Sequence, residues 1–492
     1  MNKLAKYILT PLLIVGVGCS DFGDVDKSPD ASETPLTSAL LTNGLAALGG
    51  ASAGGGSFSA GLYAQYFSET QYTDASLYAD QDLNWSGELA GSLMDFQNII
   101  NINSDPATAA NAALAGSNAN QIAIARIMKA YRFSILTDRY GDMPYFEALT
   151  GNSTPAFDSQ QDIYNDIFKE LDEAVSQFDS GPAAKGDILY GGDNTKWQKF
   201  ANSFRLILAL RVSDVNPTLG SQQFNDALNS PGGVFTSNDD NAILEFPGPP
   251  FNNPWFAIGA DQGISETVAN FVNANQDARR AVFGNPLSNG TLLGVPYGLT
   301  REQAIAWTAG HPGWSLILND DYRQQTSTQF ILTYADVLLA RAEAALLGWA
   351  GTPADVDALY NQAIEQSWMQ WGVYDVSAYN AYITDADIQI TDATPNFVAD
   401  APGAPLTTKE ARVATQRWLT FYPNGAQGWS EWRRTGFPVL TPTGNAVNPA
   451  KAIPVRFQYP NVEYTYNAAG VEAAVARMGS DNDQTRVWWD VN

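Results

Sequence analysis

The sequence predicts an all-α protein built from tetratricopeptide-like helical hairpins with long irregular loop insertions. Three observations support this fold class. Apolar residues recur at helical spacing in several segments, a helix-start signal separates two of those segments, and stretches rich in glycine and proline interrupt the rest. The chain has 492 residues, 45% of them hydrophobic, so it has ample apolar material for a large core.

Each predicted helix has one apolar face. The residues that share a face are Ile124, Ile127, Met128, Tyr131 and Ile135 in the first segment; Ile163, Ile167, Leu171, Ala174 and Phe178 in the second; and Trp197, Phe200, Ala201, Phe204 and Leu208 in the third. Segments 332–349 and 354–371 flank Thr352-Pro353, where a hydroxyl can cap a helix and a proline loses no hydrogen bond. These two segments predict an antiparallel hairpin of about 34–40 residues, the size of a tetratricopeptide unit.

Three stretches lack this periodicity and are predicted to be loops. Residues 44–61 are rich in glycine, alanine and serine, residues 230–330 contain many glycines, prolines and asparagines, and residues 374–406 have a similar character. Long structured insertions in a helical scaffold are often the site of function, so residues of the second stretch are the first candidates for ligand contact.

Composition excludes several classes of function. The chain has 27 Lys and Arg residues against 52 Asp and Glu residues, a net charge of −25, which argues against nucleic-acid partners. One cysteine and one histidine, Cys19 and His311, leave no disulfide within the chain and no Cys- or His-rich metal site. We therefore predict no metal and no cofactor.

No catalytic motif is present, and we predict that the protein is not an enzyme. Gly428-Trp429-Ser430-Glu431-Trp432 only half resembles the Gly-x-Ser-x-Gly nucleophile turn, because tryptophan replaces the last glycine. A glycoside-active enzyme is the alternative, since two of the 52 acidic residues could lie the required distance of about 5–10 Å apart.

The N-terminus resembles a secretory signal followed by a bacterial lipobox. Lys3 and Lys6 precede an apolar run, Tyr7–Val17, that is shorter than the roughly 20 residues of a membrane span. Small residues then lead to Cys19, although Gly16 stands where leucine is usual. An ordinary cleaved signal with an incidental cysteine is the alternative. The predicted organisation is a signal peptide at 1–18, a tether at 19–38 lipidated on Cys19, and a single helical body at 39–492 with a loop insertion at about 230–330.

Several separate motifs point to one family. They are Ala130–Tyr145, with the specific core Thr137-Asp138-Arg139-Tyr140-Gly141-Asp142-Met143-Pro144-Tyr145; Thr333–Val337; Gln416–Trp418; Glu431–Pro438; Ile453–Arg456; and Val487–Asp490. With these motifs, and with acidic residues directly after Cys19, the chain resembles the SusD/RagB-like nutrient-binding lipoproteins of Bacteroidetes.

The resemblance implies a location and partners. It implies a lipid-anchored protein of the outer membrane that faces the cell surface. It implies capture of a glycan, or of a peptide in some relatives, for a SusC-like TonB-dependent β-barrel transporter. The family's ligand-holding aromatic residues come from the segment before the long signature helix and from the central insertion.

Many motif residues have a structural interpretation. Gly141 suits a left-handed helix cap, and Pro144 prevents the helix from continuing. Glu431, Arg433 and Arg434 alternate with aromatic residues, which favours a buried or semi-buried ion-pair network over a ligand clamp.

Aromatic residues in polar loops are the candidate ligand contacts, because aromatic rings stack on the apolar faces of sugars. The predicted ligand-binding residues are Asn84, Trp85, Trp255, Phe256, Trp307, Trp314 and Tyr322. Packing of each tryptophan between loop and scaffold is the alternative, and a short helix at 301–309 favours that alternative for Trp307. His311 is predicted to be a loop residue and not a catalytic base.

Overall fold

Helices dominate the computed structural model, which describes residues 35–392 and 408–492. The α-helices of these residues are α1 (Thr37–Ala46), α2 (Leu48–Ala53), α3 (Gly55–Tyr63), α4 (Ser86–Glu88), α5 (Met94–Ser104), α6 (Ala109–Ala112), α7 (Asn118–Tyr140), α8 (Gln160–Gln177), α9 (Asn194–Arg211), α10 (Pro217–Asn229), α11 (Glu266–Ala274), α12 (Arg301–Gly310), α13 (Tyr334–Leu346), α14 (Val356–Gln370), α15 (Val376–Ile383), α16 (Lys409–Phe421), α17 (Gly425–Thr435), α18 (Asn461–Tyr466) and α19 (Ala468–Met478). The predicted all-α fold class is confirmed.

The strands of the described residues form three short antiparallel pairs. They are β1 (Phe67–Glu69) with β5 (Gln262–Ile264), β2 (Met143–Pro144) with β3 (Phe157–Asp158), and β4 (Ala242–Leu244) with β6 (Gln329–Leu332). In the first pair Phe67 lies opposite Ile264 and Glu69 lies opposite Gln262. This pair joins the end of the N-terminal helices to the insertion at 230–330.

The predicted hairpin is present as α13 and α14. The hydroxyl of Thr333 accepts a hydrogen bond from the backbone N–H of Asp336 (3.3 Å), and the Asp336 carboxylate accepts one from the Thr333 N–H (3.0 Å). At the start of the second helix the Asp355 carboxylate accepts from both the N–H and the hydroxyl of Thr352 (2.7 and 2.8 Å). The predicted hairpin is confirmed, with the Asp355 side chain as the acceptor for Thr352.

The signature segment forms the end of α7. Gly141 follows the last helical residue with a φ of +79°, which favours glycine, and a Cβ there would lie 2.3 Å from Cε of Met478. Pro144 is in β2, so the helix ends where predicted. Two residues inside the helix end, the Asp138 carboxylate accepts hydrogen bonds from Tyr164, Arg211 and Trp489. The three distances are 2.5, 2.6 and 2.7 Å.

The glycine-rich stretch 44–61 is helical, contrary to prediction. Its small residues permit close approach between helices: a Cβ on Gly425 of α17 would lie 2.3 Å from the backbone N of Gly61 in α3. A Cβ on Gly61 would lie 2.2 Å from Cε2 of Phe67. The glycines here are therefore explained by helix packing and not by turns.

The predicted loop 374–406 also contains a helix, α15. The Asp375 carboxylate accepts from the Ala378 N–H (2.8 Å) at the start of this helix, and Tyr379 and Tyr382 are buried in the core. Residues 393–406 of this predicted loop lie outside the described residues.

Glu431 and Arg434 form the predicted buried ion-pair network. The Glu431 carboxylate accepts from Arg417 (2.9 Å) and Arg434 (2.7 Å), and Arg434 also reaches Glu343 at 2.6 Å. The two arginines hold the pKa of Glu431 at about 2, despite its complete burial.

Arg433 does not follow that pattern. Its guanidinium carbon lies 3.7 Å from the ring centroid of Trp429 and 4.6 Å from that of Trp489, and it donates to the backbone oxygen of Val455 (2.9 Å). Burial lowers the pKa of Arg433 to about 9. The side chain is a core cation held between two indole rings and is not a ligand clamp.

The helices belong to a compact unit that spans Thr37–Asn492. Its first helix begins at Thr37, two residues before the predicted start of the body. The predicted signal peptide at 1–18, the lipidation site Cys19 and most of the predicted tether at 19–38 lie outside the described residues. Among the helices of the described residues, none has the length and apolar character that a membrane span requires.

Candidate ligand-binding site

Helix α12 positions Trp307 at the surface of the insertion. A capping box begins the helix: the Thr300 N–H donates to Oε1 of Gln303 (2.9 Å), and the Gln303 N–H donates to the Thr300 hydroxyl (3.3 Å). Ala304 is the one buried residue of this helix. Because the helix contacts the body through so narrow a face, Trp307 is only half-buried.

Trp307 forms an aromatic cluster with His311 and Trp314. The imidazole of His311 stacks on the indole of Trp307 with ring centroids 4.6 Å apart and an interplanar angle of 17°. Nδ1 of His311 lies 2.8 Å from the backbone oxygen of Trp307. The rings of Trp307 and Trp314 are 6.3 Å apart and inclined by 54°. His311 is exposed and Trp314 is half-buried, so part of the aromatic cluster lies at the surface.

Close packing on β5 holds Trp314 in place. The next residue, Ser315, accepts from the Ile264 N–H (3.0 Å) and donates its own N–H to the Leu293 oxygen (2.9 Å). A Cβ on Gly263 would lie 3.0 Å from Cδ1 of Trp314, so only glycine leaves room for the indole. The Trp314 Nε1 is buried and finds no acceptor among the residues that the structure describes. The indole is therefore fixed by packing rather than by a hydrogen bond.

The aromatic cluster is suited to binding. Inclined ring faces stack on apolar C–H surfaces, and the exposed imidazole nitrogen can exchange hydrogen bonds with hydroxyl groups. Within residues 35–392 and 408–492, no group of three or more His, Cys, Asp or Glu side chains could hold a metal ion.

Two of the predicted ligand contacts are core residues. Trp85 and Trp255 are each 1% exposed. The ring of Trp85 lies 4.6 Å from that of Tyr140 in an edge-on contact, and Trp255 lies 5.6 Å from Phe67. Rings this enclosed present no face to a ligand, so the alternative of packing against the scaffold describes both residues.

The remaining predicted contacts lie apart from the aromatic cluster. Asn84 is exposed, but its Oδ1 accepts the Ser86 N–H (2.7 Å) and so caps a short turn. Phe256 is 46% exposed. Tyr322 packs edge-on against Trp371 at 4.8 Å and donates its hydroxyl to the Trp371 oxygen. In the described parts of the chain, no ring contact joins Phe256 or Tyr322 to the aromatic cluster.

A small cavity beside Tyr322 does not change this conclusion. The cavity lies between Trp255, Tyr322 and Trp371 and has a volume of about 30 Å³. That volume is about the share of one water molecule in liquid water, so no sugar fits there.

Sequence reasoning missed His311 as a member of the aromatic cluster. Its position four residues after Trp307 in a helical segment was the available signal, because residues at that spacing share a helix face. The alternative that a short helix at 301–309 packs Trp307 against the scaffold applies only in part, since α12 leaves the indole half-buried.

Comparison with known proteins identifies relatives that match most of the chain. A family model named SusD-like_2, described as starch-binding and associating with the outer membrane, matches residues 29–460. A solved chitin-binding protein is 29% identical, with 93% of this chain and 100% of that chain covered and a TM-score of 0.75. A chitin-binding SusD homologue from Flavobacterium johnsoniae is 26% identical, with 93% and 98% covered and a TM-score of 0.72.

A SusD homologue from Bacteroides uniformis has a TM-score of 0.78 at 25% identity, with 93% of this chain and 99% of that chain covered. A search of curated proteins found no match. The motifs from Ala130–Tyr145 to Val487–Asp490 predicted this family, and the family model covers most of the chain. The protein therefore belongs to the SusD-like family.

Proposed function

We propose that this protein captures a glycan on the aromatic cluster and delivers it, unaltered, to a SusC-like TonB-dependent β-barrel transporter. The observation that carries the proposal is the pair of half-buried indole rings, 6.3 Å apart and inclined by 54°, on a surface insertion. The family description as starch-binding and two solved relatives named as chitin-binding support a glycan as ligand.

The aromatic cluster accounts for capture without turnover. Sugar rings stack on indole faces, while their hydroxyl groups exchange hydrogen bonds with neighbouring polar groups. The net charge of −25 disfavours polyanionic glycans, since like charges slow the encounter. A neutral or cationic glycan is therefore the ligand class.

Binding measurements on matched variants test the glycan site. Residues 20–492 are titrated calorimetrically with soluble starch and chitin oligosaccharides and with peptides. We expect selective glycan binding without hydrolysis, and at least about a fivefold loss of affinity for Trp307→Ala and for Trp314→Ala, because each removes a stacking face.

Phe146→Ala is the control for those variants. Phe146 is an aromatic residue at the surface, 53% exposed, that follows the signature segment. Its loss should leave affinity unchanged. Unaltered binding in both tryptophan variants, with a measurable wild-type affinity, would contradict the site.

We propose further that lipid on Cys19 anchors the protein to the outer membrane at the cell surface. The residues before Cys19 and the family description as outer-membrane-associated support this location. Cys19→Ala should move the protein from the membrane to the soluble fraction and abolish labelling by a surface-impermeant reagent. Surface labelling of that variant at the wild-type level would contradict lipid anchoring through Cys19.

A further inference from the structure

A second concave surface lies on the body, outside the aromatic cluster. It is a cavity of about 740 Å³ whose walls come from segments 78–83, 447–450, 454–458 and 482–484, with Tyr63 among its lining residues. We call it the Tyr63 groove. Its volume is in the range of about 300–1,000 Å³ that is typical of small-molecule sites.

Aromatic rings form the apolar part of the Tyr63 groove. Tyr63 meets Tyr78 and Phe457 edge-on, with ring centroids 6.1 and 5.9 Å apart. All three residues are buried, so their rings are held rigidly by the core. The rings are nearly as enclosed as those of Trp85 and Trp255, so they offer no face for stacking and form a fixed apolar wall of the cavity.

Tyr63 also provides an unused donor. The residue is 4% exposed, yet within the described residues its hydroxyl has no hydrogen-bond partner. Burial, followed by the negative charges of Asp483 and Glu69, raises the pKa of Tyr63 well above its usual value. The hydroxyl therefore remains protonated at neutral pH and can donate into the groove.

The charge of the groove is negative. Asp80 is exposed, and no hydrogen bond or ion pair involves its carboxylate among the residues that the structure places. Asp483 accepts from Nδ2 of Asn448 at 2.6 Å through one oxygen, which leaves the other available. Arg456 is the only Lys or Arg that lines the cavity, and its guanidinium is paired with Asp481. No lining cation is left to attract an anionic ligand.

We propose that the Tyr63 groove is a second glycan-binding site, selective for a hexosamine unit that has a free amino group. The sugar lies in the cavity beside this apolar wall, the Tyr63 hydroxyl donates to a sugar oxygen, and the ammonium group pairs with Asp80 and Asp483. The inference rests on the proposed function only for the ligand class, a glycan, because the groove and the aromatic cluster share no residue.

Calorimetric titration with defined hexasaccharides tests the proposal at about pH 6, where most amino groups are protonated. The probes are the glucosamine hexamer, the N-acetylglucosamine hexamer and the galacturonic acid hexamer. We expect the glucosamine hexamer to bind most tightly. Asp80→Asn combined with Asp483→Asn should weaken it about tenfold or more, since charge-assisted hydrogen bonds are lost.

Controls separate the groove from the aromatic cluster. Asn at 483 can still accept from Asn448, so the loop is retained, and Tyr63→Phe removes only the hydroxyl. Glu472→Gln removes one exposed negative charge on α19, away from the groove residues, and should leave affinity unchanged. Trp307→Ala with Trp314→Ala should leave a glucosamine-selective site intact, because those residues lie outside the groove.

Three outcomes overturn the inference. Equal affinity for the glucosamine and N-acetylglucosamine hexamers would remove the amine selectivity. A second outcome is loss of all binding in the double tryptophan variant with wild-type binding in the double aspartate variant. That result would support the proposed function and show that the Tyr63 groove does not bind the glycan. Tighter binding of a lysine-rich peptide than of the glucosamine hexamer would show that the ligand of the groove is a peptide and not a glycan. Amine-selective binding that the tryptophan substitutions do not change would instead contradict glycan binding at the aromatic cluster and support the Tyr63 groove as the binding site.

Discussion

Two pairs of tryptophans with similar sequence surroundings have opposite positions in this protein. Trp85 and Trp255 lie in polar, broken segments and are each 1% exposed, whereas Trp307 and Trp314 lie in a comparable segment and are half-buried. The difference is in the neighbours. The rings around Trp85 come from Tyr140 and other residues far along the chain.

The rings around Trp307 come from its own segment. His311 and Trp314 follow it by four and seven residues, and no other ring contacts it among the described residues. A tryptophan therefore becomes core where distant segments converge on it, and remains a surface residue where only its own segment surrounds it. Local composition does not separate these two cases.

The largest expected effect contrasts the two pairs directly. Trp85→Ala should lower the free energy of unfolding by about 3–5 kcal/mol, because it empties a fully enclosed site. Trp307→Ala should lower it by less than about 1 kcal/mol, as is usual for surface changes. Urea denaturation of both variants measures the difference. Similar losses would mean that the two indoles are equally part of the core.

A buried carboxyl beside the core pair gives a pH-dependent effect. Glu69 follows Phe67, the ring neighbour of Trp255, by two residues in β1 and is 6% exposed. Ser76 donates its N–H (2.9 Å) and its hydroxyl (2.8 Å) to the carboxylate. Burial nevertheless raises the pKa of Glu69 from 4.5 to about 7.

The sign of the effect follows from proton binding. The folded state binds this proton more tightly than the unfolded state, so stability falls as pH rises from the unfolded pKa to the folded one. The loss should be on the order of 3 kcal/mol and nearly complete by about pH 8. Glu69→Gln, which can still accept from Ser76, should remove this part of the slope between about pH 4 and pH 8. An unchanged slope in urea denaturation of the variant would contradict the raised pKa of Glu69.

A smaller effect connects the scaffold to the surface pair. A Cβ on Gly263 would lie 2.6 Å from Cγ2 of Val295, 2.9 Å from the oxygen of Ser315 and 3.0 Å from Cδ1 of Trp314. Gly263→Ala should therefore cost about 1–3 kcal/mol of stability and displace the indole, which weakens glycan binding. Gly259→Ala is the matched control, because its nearest neighbour would be 3.9 Å away. Wild-type glycan affinity in Gly263→Ala would show that the position of Trp314 is unimportant.

Much of the fold was predictable because its signals are local. The hairpin of α13 and α14 follows from periodicity and from Thr352-Pro353, and the end of α7 follows from Gly141 and Pro144. The glycine-rich stretch 44–61 was not predictable as helix. Its glycines are explained by contacts with Phe67 and Gly425, which are close only in the folded chain.

The candidate site was predictable in part. The sequence pointed to the insertion and to Trp307 and Trp314, because aromatic residues in a polar loop are a local pattern. It could not show that Trp85 is enclosed, since the enclosing rings come from three distant segments. The Tyr63 groove could not be predicted from the sequence for the same reason, because residues 63, 80, 457 and 483 meet only after folding.

One hydrogen-bonded side chain connects the two proposed sites. Oε1 of Gln303 accepts from the Thr300 N–H at the start of α12 (2.9 Å) and from Nδ2 of Asn445 (2.8 Å), two residues before the wall of the Tyr63 groove. A ligand that displaces this wall therefore also disturbs the helix that holds Trp307. By thermodynamic reciprocity, occupancy of either site would change affinity at the other by the same factor. Cooperativity between successive units of one glycan chain would then pass through Asn445, which donates both to Gln303 and to the backbone oxygen of Gly298.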